Sequence, residues 1–174
     1  MLLTFARDAV RREMLCKQHV VVTRMRRADL VQQFVGALAS IKAGFAYGLI
    51  VFAVGFGLGT IRVLLLVPQL GATIAVLLEA PIILATSWLV SRRCAERESV
   101  RVDLGARMLM GAIAFVTLLF AEIGVSVVVF GRSLAEHLAG YQSVPGVIGL
   151  AAQICFASFP FLQAEIHRRS GQHS

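Results

Sequence analysis

Charge is what this chain has least of. Asp, Glu, Lys and Arg make up 16% of its 174 residues, too little to clothe a water-soluble domain of that length. Cysteine is nearly absent. Cys16, Cys94 and Cys155 stand far apart and form no CxxC pair, which argues against a disulfide framework and for free thiols. His19, His137, His167 and His173 all fall outside the apolar runs, so an intramembrane haem or metal site has little support. HExxH, GxSxG and P-loop motifs are missing, which leaves no catalytic, cofactor-binding or metal-binding residue to name and argues against an enzyme. The first 28 residues lack the apolar stretch of a secretory signal.

What the chain does have is apolar length. Hydrophobic residues make up 57% of it, and the mean hydropathy is +0.78. The few charges are bunched, which leaves apolar windows of about twenty residues, enough for a helix to cross about 30 Å of hydrocarbon. The pattern predicts an all-α membrane protein, a bundle of four transmembrane helices at about 43–66, 70–91, 108–130 and 145–164. Ahead of it, residues 1–28 read as a flexible basic arm, with Met14 and Met25 as alternative starts. In residues 29–42, Leu30, Val31, Phe34, Val35, Leu38 and Ile41 recur at helical spacing, which predicts an amphipathic interfacial helix capped by Asp29. Residues 165–174 form a short basic tail.

The net charge of +7 is informative through its location. Residues 1–42 contribute +5, residues 92–107 contribute +2, and the tail from Glu165 contributes +1. Arg132 and Glu136 cancel in the loop between the last two spans. The excess sits in alternate connections, as the positive-inside rule requires, and places both termini in the cytoplasm. It is not the footprint of a nucleic-acid partner.

Details of the spans follow from spacing. Gly44, Gly48, Gly55 and Gly59 fall on one stripe of the first span, where small residues let a neighbouring backbone approach. Pro68 and Gly71 mark a tight turn that makes the first two spans antiparallel neighbours. Pro81 favours a kink in the second span, and Trp88 suits its interfacial end. Ser133–Leu138 reads as a short interfacial helix capped by Ser133.

Four polar residues interrupt the apolar runs: Arg62, Glu79, Glu122 and Gln153. At 1.5 Å of rise per residue, all four fall roughly 7–15 Å below one membrane boundary. The expectation is a shared cluster in the outer half of the bundle, with Arg62 paired to Glu79 or to Glu122. Ionisable groups within spans are functional candidates by default, but such a pair can equally do no more than fix helix register.

The segments Gly57-Leu-Gly-Thr-Ile-Arg-Val63, Pro68-Gln-Leu-Gly71 and Glu79-Ala-Pro81, with Ser133-Leu-Ala-Glu-His-Leu138 and Pro145-Gly146 further on, carry a resemblance. Over roughly Lys42 to Leu162 the chain resembles a family of small, uncharacterised four-span integral membrane proteins of bacteria, mainly proteobacteria. The resemblance implies a bacterial inner membrane and four spans, and no activity.

Two functions remain open from the residues alone. One is a structural or accessory membrane protein that packs through its glycine-rich face, as a homo-oligomer or against a larger membrane partner, with no cofactor. The other is an oligomeric proton- or ion-coupled transporter or channel using Glu79, Glu122 and Arg62.

Overall fold

The computed structural model describes the backbone of residues 2–171, and the side chains of Arg26 and of residues 29–171. The chain divides into two compact units, Met1–Gly36 and Ala37–Ser174. Helix α1 is Leu2–Ile61, prolonged by a π turn at Arg62–Leu66 and an α turn at Val67–Leu70. Then come α2 (Ala72–Arg97), α3 (Leu104–Gly124, prolonged by a π turn at Val125–Val129), the short α4 (Leu134–Gly140) and α5 (Val144–Ser170). The described residues contain no strand. Four helical stretches are long and apolar enough to cross a membrane: Asp29–Leu70, Ala72–Arg97, Leu104–Val129 and Val144–Ser170. The protein is an all-α, multi-pass membrane protein.

The N-terminal boundaries differ from expectation. Asp29 lies inside α1 and caps nothing, because the helix already begins at Leu2. The apolar positions of 29–42 pass into the span with no proline or turn residue between them, so nothing ends the helix there. Leu30, Val31, Phe34 and Val35 are each more than half exposed. The flexible arm expected at 1–28 has its side chains outside the described residues apart from Arg26, as does Cys16; the arm's backbone is helical from Leu2.

The first turn is also narrower than its proline suggested. Pro68 does not end the helix; it sits within the last α turn, and the break is Gly71 alone, at φ 76°. A proline ring collides with the carbonyl four residues back in a regular α-helix. Here the preceding turn is widened, with the Val67 amide bonded to the Arg62 carbonyl, and the wider π turn gives the ring room. Only glycine adopts Gly71's positive φ without strain.

The later helices start on side-chain caps. Asp103 accepts from the Ala106 amide at 3.1 Å and opens α3. At α4, Ser133 Oγ accepts from the Glu136 amide at 3.2 Å, while the Glu136 carboxylate accepts from the Ser133 amide at 2.8 Å. That is a capping box, formed where the sequence placed the cap. Ser143 accepts from the Gly146 amide at 3.1 Å, with Pro145 in the first turn of α5.

The buried core gathers toward the end of the bundle that carries Lys42, Arg92, Arg107 and Arg168, hereafter the basic end. It comprises Ala43, Tyr47 and Val51 of α1, Cys94 and Ala95 of α2, Met110, Ala114 and Leu118 of α3, Phe156 of α5, and Val100 from the link between α2 and α3. Gly44 and Gly48 make this core possible. A Cβ on Gly44 would stand 2.5 Å from the Met110 carbonyl, and one on Gly48 would stand 2.8 Å from that of Ala114. Gly111 of α3 faces the Ala157 carbonyl of α5 with no room for a Cβ either. Small-residue packing thus seats α3 between α1 and α5.

Candidate functional site

The four polar residues expected to form one cluster are held as two separate ties. In the first, Arg62 Nε of the π turn stands 2.9 Å from Glu79 Oε2 of α2. The pair bridges the α1–α2 hairpin close to Gly71. Their side chains are 30% and 15% exposed, so both charges are largely withdrawn from solvent and depend on each other. The Nε–H does not point along the short contact, and this nitrogen makes no aligned hydrogen bond. The tie is therefore chiefly Coulombic.

In the second tie, Gln153 Nε2 of α5 donates to both oxygens of Glu122 of α3, at 2.7 and 2.8 Å. The Tyr141 hydroxyl, between α4 and α5, donates to Glu122 Oε2 at 3.1 Å. His137 Nε2 on α4 lies 3.4 Å from the same hydroxyl, and the two rings meet edge to face at 5.4 Å. A chain of polar contacts thus leads from a carboxylate inside α3 to a half-buried histidine on the loop helix. Gln153 Oε1 and Ser126 Oγ, both buried, have no hydrogen-bond partner among the described residues. Tyr141 has its ionisation pushed up to about 12, by burial first and then by the charge of Glu122. Its phenol therefore remains a donor across the whole neutral range.

Two further polar contacts have no signature in the residue pattern. The Tyr47 hydroxyl donates to the Phe156 carbonyl at 2.9 Å within the core, and the two rings stack with centroids 4.4 Å apart. That carbonyl is available because Pro160, four residues on and inside α5, has no N–H to offer it. A tyrosine in an apolar run and a proline at helical spacing from a facing residue were both visible, but their meeting depends on how α1 and α5 pack. The second contact is a clamp at the basic end. Gln163 Nε2 donates to the Trp88 carbonyl at 2.8 Å, and Ser91 Oγ donates to Gln163 Oε1 at 3.1 Å. Trp88 and Phe159 close over it edge to face at 5.3 Å.

The expected glycine stripe divides in two. Gly44 and Gly48 are filled by α3. Gly55 faces only the Ile83 methyl, 3.6 Å from where its Cβ would stand, and Gly59 faces only the guanidinium of its neighbour Arg62, at 3.8 Å. Cys94 is buried and Cys155 exposed, both as free thiols. Among the described residues, no three His, Cys, Asp or Glu side chains converge as metal ligands. No protein-family model, curated protein or solved structure matches the chain.

Proposed function

We propose that the chain is a small structural or accessory protein of a bacterial inner membrane, with both termini cytoplasmic, that packs through the upper glycines of α1 against a second copy or a larger membrane protein. The observation behind this is the unequal use of the glycine stripe. Gly44 and Gly48 are spent on α3, whereas Gly59 meets nothing outside its own helix. Around it, Ile61, Val63, Leu64 and Leu65 are each more than half exposed, so a flat, small-residue surface lies within an apolar one. The ties at Glu79 and Glu122 suit this role, since each holds two helices in register.

The test is Gly59→Leu beside Gly44→Leu, with the protein purified in mild detergent and its assembly mass measured. Gly59→Leu is expected to leave the yield and melting of the chain unchanged and to abolish association. Gly44→Leu is expected to abolish folding. An assembly unchanged by Gly59→Leu would refute the packing surface.

One observation favours the second reading, a proton-coupled carrier or channel. Arg62 neutralises Glu79, but Glu122 is held by neutral donors and is linked through Tyr141 to His137. Such a chain can pass a proton between the loop and the span. In proteoliposomes, Glu122→Gln and His137→Ala should each then stop proton flux. Vesicles of the parent protein with no flux above empty ones would rule it out.

A further inference from the structure

At the basic end, the last turns of α2 and α5 and the first turn of α3 line a half-open cavity of about 380 Å³. Its polar lining is cationic in balance. Arg92, Arg107 and His167 face it, and Glu96 is its carboxylate. Glu96 is already engaged by Arg92 at 2.9 Å. Arg107 is half-buried and, among the described residues, has no carboxylate at ion-pair distance. Its Nε and one terminal nitrogen donate instead to the carbonyls of Arg101 and Val100, both at 3.3 Å. Those contacts fix the guanidinium against the α2–α3 link, and the one carboxylate that acts on its charge, Glu96, is shared with Arg92.

The cavity also has an aromatic and apolar side. Trp88 lines it one helical turn from Arg92, at the position an aromatic belt residue takes between acyl chains and headgroups. Ala164 and Ile166 complete an apolar wall beside the charges, and Leu89 and Leu162 stand exposed nearby on the faces of α2 and α5. A ligand that fits has a phosphate for the guanidinium groups and hydrocarbon for that wall.

We propose that this cavity binds the phosphate of an anionic phospholipid, with Arg107 as the fixed anchor and Arg92 as the mobile one. Arginine suits a phosphodiester because its planar fork donates to two oxygens at once. A basic pocket between helix ends is where acidic headgroups are held on membrane proteins. A zwitterionic lipid brings its own cation into a site that is already cationic and is disfavoured. Such a site suits an accessory subunit and a carrier alike.

The experiment uses the full chain in neutral-detergent micelles doped with phosphatidylglycerol, cardiolipin or phosphatidylcholine. Melting is followed, and bound lipid is counted by native mass spectrometry. Phosphatidylglycerol and cardiolipin should raise Tm by about 5 °C at saturation, and phosphatidylcholine should not. Arg92→Gln, an exposed position, should remove most of that rise without lowering the lipid-free Tm. Arg107→Gln should remove it entirely, and Arg107→Lys should restore part. If Arg107→Gln fails to fold, Arg92→Gln decides alone. Arg169→Gln, outside the cavity and paired with Glu165, should change nothing. Equal shifts from phosphatidylcholine, or a shift unmoved by Arg92→Gln, would overturn the proposal. A full shift from millimolar inorganic phosphate, beyond an equal ionic strength of chloride, would also overturn it and assign the site to a soluble anion.

Discussion

At the scale of the residue, the least expected partnership is that of Tyr47 with the carbonyl exposed by Pro160. An unpaired carbonyl in a lipid-embedded core has no water to turn to. Tyr47→Phe removes the donor and keeps the ring, so it should destabilise the bundle by about 1–3 kcal/mol in a reversible detergent unfolding experiment. Pro160→Ala restores a backbone N–H to the Phe156 carbonyl. In that background the same Tyr47→Phe change should cost much less. Equal costs in the two backgrounds would show that the hydroxyl serves some other group. Tyr141 offers a second single-residue test. Its phenol stays protonated past the ordinary value of 10, up to about 12, by burial and by the Glu122 carboxylate. A raised folded-state value contributes stability that is whole below pH 10 and is lost as pH climbs through about 12. Tyr47→Phe leaves Tyr141 as the sole tyrosine of the chain's 2, so phenolate absorbance then reports it alone. The titration should fall near 12, and Glu122→Gln should lower it part of the way, with burial still holding it above 10. A midpoint near 10 in both proteins would mean that Tyr141 does not face the carboxylate.

At the scale of the helix, the two polar ties, Arg62–Glu79 and Glu122–Gln153, lie in the half of the bundle away from the basic end, outside the buried core cluster. Removing one member of a withdrawn ion pair strands the other's charge. Arg62→Gln or Glu79→Gln alone should therefore cost roughly 3 kcal/mol, and the double substitution distinctly less than the sum. Detergent melting of the four proteins gives the coupling, and single variants that melt like the parent would remove the ion pair from the account. How much of this could be read from the residues depended on the range of the signal. The four spans and the Ser133 cap follow from composition and local spacing, and the structure has them. Depth arithmetic puts Arg62, Glu79, Glu122 and Gln153 within reach of one another along the bundle, yet rotation about each helix axis decides who meets whom. That rotation is set by packing such as Gly44 on Met110 and Gly111 on Ala157. For the same reason the sequence could name Gly44, Gly48, Gly55 and Gly59 as a stripe but could not tell which half α3 would occupy. Pro68 was misleading for a local reason: a π turn ahead of it lets the helix continue where a regular α turn could not.

At the scale of the molecule, the outer surface is made of side chains that water would not tolerate. Phe120 is 72% exposed, Val128 83% and Leu64 67%, so the solvent of this bundle is lipid and its stability belongs to a bilayer or a micelle. Which end faces the cytoplasm is then a question of charge. Arg92, Arg93, Arg97, Arg101 and Arg107 cluster at the α2–α3 link, with Arg168 and Arg169 at the end of α5. The connections at the opposite end carry only Arg132, offset by Glu136. Basic residues in short connections resist translocation, and acids contribute little to the bias. The asymmetry predicts that the α2–α3 link stays inside and α4 is exported. With the three native cysteines replaced by alanine, Gln142→Cys should react with a membrane-impermeant maleimide added to intact cells. Arg101→Cys should react only after the cells are opened. The reverse pattern would invert the topology and with it the leaflet from which the Arg107 cavity draws its lipid. Labelling at both positions from outside would mean mixed insertion, in which case the arginine bias does not set the orientation of this chain.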